Sequence, residues 1–297
     1  MNAQVKRRTK RRTGGRVGNL IALGFVLFNL VFWFYPSLWL GLLSFSDWRF
    51  FGELSFSGLK NFIYVINDLE FRAAFRNVGR FMLFYVPIAL TASLAFAMGL
   101  RHVGRGKTFI VLCFLLAYVS SGVSYSLVFS KVFSESGPLN SFLLQQFGFT
   151  VPWLTTPSLA LFSVSLVITW KFVGYYGLIL YSGLNAIPKE IYDAAKLDHS
   201  GPIGTLFRVT LPMMNAQLVT VMVLIIAVAF GIFTEPYVLT GGGPMNSTTM
   251  PQLVMYETAF QRLQPGHAAM MAIITAVVSY AVIQLLRKLF ERDVKIA

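Results

Sequence analysis

Six times along this chain, apolar residues run for about twenty positions, and the polar residues collect between the runs. The runs are approximately 20–43, 81–100, 109–129, 159–184, 214–233 and 268–286. Each is close to the ~20 residues that a helix needs to cross ~30 Å of hydrocarbon. A strand in lipid would leave backbone groups unsatisfied, so the pattern predicts about six transmembrane helices and an all-α fold. The first run is too long for a cleaved signal peptide, and more apolar residues follow Pro36 instead of a small-residue cleavage site.

The connections differ in character. Residues 47–78 mix charges with Phe, Leu and Ile, which predicts short amphipathic helices at the surface. Residues 130–158 carry the turn signals "SGPLN" and "VPWLTTP" around a short apolar helix, "SFLLQQF". Residues 234–266 open on the glycine-rich turn "TGGGPMNSTT". No internal repeat of fixed period is visible. The expected organisation is a basic tail (1–19), one membrane domain (20–290) with a distinctive loop at 186–212, and a short tail (291–297).

Composition agrees with a polytopic membrane protein. Of 297 residues, 56% are hydrophobic and 12% charged, about half the ~25% charged residues of a soluble domain. The one cysteine, Cys113, lies within an apolar run, which excludes an internal disulfide and a Cys-based zinc site. The formal charge of +13 gains meaning from its placement. Basic residues concentrate in the N-terminal tail, the loop with Arg101, Arg105 and Lys107, the loop with Lys189, Lys196 and Arg208, and the C-terminal tail. With six spans these segments share one side, which the positive-inside rule assigns to the cytoplasm together with both termini. "KRRTKRRTGGR" resembles a nucleic-acid arm. Directly before a span it reads instead as an anchor on the anionic lipid bilayer, and no nucleic-acid partner is expected.

The loop "EIYDAAKLDHSGPIGTLFRVTLP" (190–212) interrupts this apolar chain with charges and helix breakers. Pro188 and Glu190 suit the first turn of a helix. Ile191, Ala194, Ala195 and Leu197 are expected mainly on one side. Gly201-Pro202 ends that helix, and Pro212 stops a second helical stretch before the fifth run. A short helix held between breakers is either an ordinary surface element or a rigid part that passes force between a soluble partner and the spans.

The residue pattern favours the second reading. Asp193, Ala194, Ala195, Asp198, Val209, Leu211 and Pro212, with Pro188 and Glu190 upstream, resemble the "EAA" loop of permease subunits of binding-protein-dependent ABC importers. Two positions depart from that pattern: Asp193 replaces the usual glutamate, and His199 stands where glycine is usual, with Gly201 nearby to take over the turn. "FSGLKNF" (56–62), "GPLNSFLL" (137–144), "WKFVGYYGLILYSGL" (170–184) and "LTGGGPMNSTT" (239–249) look like segments of the sugar-importer branch, similar to MalF-type permeases. The resemblance implies an ABC importer permease fold in a bacterial or archaeal cell membrane. It also implies three partners: a second permease subunit, usually a different gene product, a cytoplasmic ATPase dimer gripping the loop, and an extracellular solute-binding protein. No cofactor is expected in this chain, since ATP and Mg would be bound by the partner ATPase.

Lys171 lies near the middle of the fourth run, where a charge costs at least about 2.5 kcal/mol unless it faces protein or water. It either pairs structurally or lines the solute path with Tyr175, one turn on. Phe230, Phe233 and Thr234 are the next solute-path candidates, because family permeases bind solute near this depth. With 28 Phe, 12 Tyr and 5 Trp, most aromatics simply face lipid. Gly231 suits close helix packing.

Other signals are decoys. "GRGKT" (104–108) ends like a phosphate loop, but Arg101 stands where glycine is required. The three histidines lack metal-ligand spacing, and no catalytic triad suggests itself, so the chain is not expected to be an enzyme. An ion-gradient-driven secondary transporter is the alternative. It predicts inverted repeats and paired intramembrane acids; no such acids lie well inside the runs, and the breaker-bounded loop would lack a purpose.

Overall fold

Residues 14–198 and 201–291 are described in the computed structural model of the chain. Each long apolar run forms helix, since the helix satisfies its own backbone groups. α1 (Gly14–Asn29) continues through a π-helical turn (Leu30–Phe34) into α2 (Tyr35–Ser44). The π turn has a cause in the sequence. Pro36 has no N–H to donate and its ring crowds the preceding turn, so Tyr35 donates five residues back, to Leu30 O. A two-residue antiparallel pair follows, β1 (Ser46–Asp47) with β2 (Ser55–Phe56), the only strands among the described residues.

α3 (Lys60–Asn67) is the short amphipathic surface helix that the 47–78 segment predicts. The rest of that segment is not a surface helix. From Leu69 onward it belongs to α4 (Leu69–His102), whose start is capped by Asp68 Oδ1 accepting from Phe71 N at 2.8 Å. At 1.5 Å per residue α4 is about 51 Å long. It therefore outruns a ~30 Å hydrocarbon core, and its first turns, with Glu70, Arg72, Arg76 and Arg80, project beyond the expected 81–100 span.

The third run does not form one straight helix. α5 (Lys107–Val119) and α6 (Gly122–Val132) meet at a 98° bend. After α7 (Pro138–Phe147) and α8 (Pro157–Ala186) come α9 (Lys189–Leu197), α10 (Pro202–Thr205), a π turn (Leu206–Thr210) and α11 (Leu211–Met213). Pro212 does not stop the chain as expected. It reproduces the Pro36 solution, with Leu211 N donating to Leu206 O, and the helix carries on to Met213. The change of direction comes one step later, where Pro202–Met213 and α12 (Asn215–Gly231) meet at 78°. The chain ends with α13 (Thr234–Thr240), α14 (Pro251–Tyr256), a π turn (Glu257–Gln261) and α15 (Pro265–Phe290). Among the described residues, four helices are long and apolar enough to cross a membrane, or six if each bent pair counts as one span.

α8 is the hub of the bundle, with α4, α5 and α12 packed around it. Its glycines make that possible. A Cβ on Gly174 would lie 2.6 Å from Phe114 Cβ of α5, and one on Gly177 would strike the Phe96 ring and lie 3.2 Å from Ser93 O of α4. The core around it is large and apolar, with Phe81, Tyr85, Ile168, Tyr176, Leu180 and Ile225 almost fully buried. The first span is the opposite case, exposed along its apolar length.

Three buried asparagines fasten the connecting segments. Asn61 donates to Ser44 O and Ser46 O, both at 2.9 Å. Asn140 donates to Val151 O at 2.9 Å while its Oδ1 accepts from Val151 N and the Trp153 indole. Asn77 donates to Asn246 O at 2.7 Å and Thr249 O at 3.0 Å, clamping the glycine-rich turn. In that turn Gly241 and Gly242 have φ of +58° and +85°, conformations that favour glycine.

Candidate functional site

The charged loop is built as a short helix laid against the body of the protein. α9 runs for nine residues, bounded by Pro188 and the Gly201-Pro202 pair. Ala195 is buried and Ile191 and Tyr192 pack against the main core, whereas Ala194 is exposed and Leu197 is 81% exposed. The single apolar side expected from the sequence is thus divided, because the body takes Ile191, Tyr192 and Ala195 and leaves Ala194 and Leu197 outside. Glu190, Asp193, Asp198, Gly201 and Pro212 are also exposed, and Leu211 is half-buried. His199 lies outside the described residues. Asp193 accepts from Lys196 Nζ at 3.0 Å, and this lysine holds its carboxyl below the ordinary carboxylate range.

Besides this packing, two contacts of Tyr192 join α9 to the membrane helices. The Arg101 guanidinium lies 4.5 Å from the centroid of the Tyr192 ring, and Thr210 Oγ1 is 3.5 Å from the Tyr192 hydroxyl. Displacement of α9 therefore acts on the end of α4 and on the π turn before α12.

The membrane candidates converge on one cavity. It has a volume of about 520 Å³, and Lys171, Tyr175, Phe233 and Thr234 all line it, within the range of small-molecule sites. Phe230 does not join them. It is 6% exposed and packs inward, its ring 6.4 Å from that of Phe75. Gly231 departs from the packing role expected of it: a Cβ there would meet nothing within 4 Å, and the residue lines the cavity.

Lys171 has an aromatic setting. Its ammonium is 4.8 Å from the Tyr125 ring centroid and 5.7 Å from that of Phe172, distances typical of cation–π attraction. Among the described residues no carboxylate lies within 4 Å of it. Tyr118 and Tyr175 stack at 4.7 Å and 12°, forming a flat aromatic wall.

Two residues that the sequence reading missed complete the site. Glu235, only 8% exposed, lines the same cavity, and the Tyr125 hydroxyl donates to its Oε1. Tyr125 therefore carries the Lys171 ammonium over its ring and Glu235 on its hydroxyl. Glu235 escapes sequence reading because it stands just past the fifth apolar run, where it counts as one more connecting-loop acid. The break between α12 and α13 turns it inward. Ile232 is extended, with ψ of 127°, and Phe233 has φ of −133°. Irregular backbone at membrane depth is tolerated where it faces protein or a cavity.

Comparison with known proteins agrees with this architecture. Residues 14–296 match the family described as "Binding-protein-dependent transport system inner membrane component". The probable ABC transporter permease protein YurN of Bacillus subtilis is 31% identical over 269 residues, covering 88% of this chain and 92% of that protein. The lactose transport system permease protein LacF of Rhizobium radiobacter is 33% identical over 262 residues, covering 85% of this chain and 84% of LacF. The diacetylchitobiose uptake system permease protein NgcF of Streptomyces coelicolor is 29% identical, covering 86% and 75%. In fold, the chain is similar to a bacterial ABC transporter that imports the acidic polysaccharide alginate, with a TM-score of 0.78 at 17% identity over 94% of this chain and 96% of that one. With a helical bundle, a breaker-bounded loop helix and a family match over nearly its whole length, the chain belongs to the binding-protein-dependent transport system inner membrane components and is an ABC importer permease.

Proposed function

We propose that this permease, with a second permease subunit from another gene, forms the pore through which a sugar or related polyhydroxy solute enters a bacterial or archaeal cell across its inner membrane. An extracellular solute-binding protein delivers the solute. A cytoplasmic ATPase dimer binds ATP and Mg, docks on the 190–212 loop and drives the spans between inward- and outward-open states. This chain holds no cofactor and catalyses no reaction. The observation that carries the sugar reading is the cavity itself, with its stacked Tyr118–Tyr175 wall, the Lys171 ammonium and the Glu235 carboxylate. Sugars offer an apolar ring face to aromatics and hydroxyls to charged hydrogen-bonding groups. The names of LacF and NgcF support the same solute class.

The test is uptake of radiolabelled sugars by cells carrying the intact system. Deleting the ATPase gene should abolish uptake, and Asp193→Lys should uncouple ATP hydrolysis from transport or prevent ATPase assembly. Lys171→Ala should alter solute affinity or ATPase stimulation while the complex still assembles. Uptake that survives ATPase deletion would point to an ion-gradient carrier instead.

A further inference from the structure

A second cavity, of about 640 Å³, lies where α4 and α8 end, beside α9. Its walls combine two chemistries. Arg101, His102 and Lys196 supply basic groups, while Met98, Leu184 and Leu206 supply an apolar floor, and among the described residues no acid lines it. Lys196 shares its charge with Asp193 at 3.0 Å, but Arg101 makes no ion pair among the described residues. Arg101 instead lies over the Tyr192 ring, 4.5 Å from its centroid. A guanidinium in cation–π contact, with no carboxylate partner, keeps N–H donors available for a bidentate contact to a phosphate. His102 Nδ1 lies 2.9 Å from Met98 O, and as a carbonyl only accepts, that nitrogen carries the proton.

We propose that this cleft binds an anionic phospholipid. Arg101 is the principal headgroup contact, Lys196 contributes a second charge, and an acyl chain lies along Met98, Leu184 and Leu206. The apolar floor favours a lipid over a free phosphate, which would leave that surface wet. So does the position, at the ends of two membrane helices, because basic pockets between such helices match lipid headgroups. A lipid bound there touches α4 on one side and α9 with α10 on the other, and it braces the loop helix against the bundle. The proposal needs the chain to sit in a bilayer and does not depend on which solute is carried or on ATPase docking.

The full-length chain, reconstituted in phosphatidylcholine nanodiscs containing phosphatidylglycerol and re-extracted into detergent, is examined by native mass spectrometry. Wild type should retain phosphatidylglycerol in preference to phosphatidylcholine. The Arg101→Ala/Lys196→Ala double variant should lose roughly tenfold or more of that retention, as expected for removal of a charge-assisted contact. Arg101→Lys, which keeps the charge but not the fork, should retain an intermediate amount and shows that loss does not come from misfolding. Arg105→Ala, a basic residue outside the cleft, should behave as wild type. Equal retention by wild type and the double variant overturns the proposal. Displacement of the lipid by millimolar inorganic phosphate also overturns it, in favour of a free-phosphate site.

Discussion

Replacing Asn77 by alanine tests how the glycine-rich turn is held. Asn77 is 4% exposed, and its amide is the shared donor to Asn246 O and Thr249 O at 2.7 and 3.0 Å. Its removal loses the part-buried bond to Asn246 O, worth about 1 kcal/mol net, and leaves buried Thr249 O short of a donor, at about 1–3 kcal/mol. The local cost is then about 2–4 kcal/mol. One decade of equilibrium constant corresponds to about 1.4 kcal/mol, so opening of the turn should become roughly 30- to 1,000-fold more frequent. Hydrogen exchange reads this directly at the amides of Ser247 and Thr248, which donate to Pro244 O and Gly242 O, both at 3.0 Å. Exchange there should accelerate by that factor while α12 amides stay protected. Acceleration below about threefold would refute the clamp, because the turn would then be held by its own threonines.

Three further outcomes follow from the packing and charges. Gly174→Val, whose Cβ alone would lie 2.6 Å from Phe114 Cβ, should lower stability by about 1–3 kcal/mol through overpacking. An unchanged or higher melting temperature in detergent contradicts that. Tyr125→Phe removes the donor to buried Glu235 and should cost about 1.5–3 kcal/mol. Adding Glu235→Gln should recover part of the loss, and a double variant no more stable than the single would show that the Tyr125–Glu235 bond is not its source. Glu257 is raised above the ordinary 4.5 by burial and then by neighbouring Glu70, with Arg262 opposing. An acid raised in the folded state favours folding below its unfolded value and loses that contribution as pH climbs through the folded value. Glu257→Gln should therefore flatten the fall in melting temperature from pH 4.5 toward neutrality, and identical pH profiles would exclude the effect.

The sequence was most legible where one residue type decides the outcome. Apolar run length located the helices, and the Pro188 and Gly201-Pro202 breakers bounded α9. The bend between α5 and α6 was illegible because Ser120, Ser121 and Gly122 interrupt the apolar run only briefly, with no proline or charge beside them to mark a break. The outward reach of α4 was hidden for a related reason: Arg72, Arg76 and Arg80 look like surface-helix residues whether the helix starts there or continues into lipid. Pro212 misled in the opposite direction, since a π turn absorbs the proline that a regular helix would not. In the cavity, Lys171 announced itself as a charge in an apolar run. Glu235 gave no such signal, and only the chain break at Ile232–Phe233 brings it inward.

Apart from the Trp153 indole on Asn140, the contacts of Asn61, Asn77 and Asn140 are all to main-chain atoms, so the identity of the other side chains on the segments they hold matters little to the grip. Met245, 91% exposed at the tip of the glycine-rich turn, can vary among residues that accept its left-handed backbone, with φ of +51°. Such loops lend themselves to grafting: tips exchanged between relatives would keep their anchorage, and new recognition chemistry would evolve there without renegotiating the scaffold beneath.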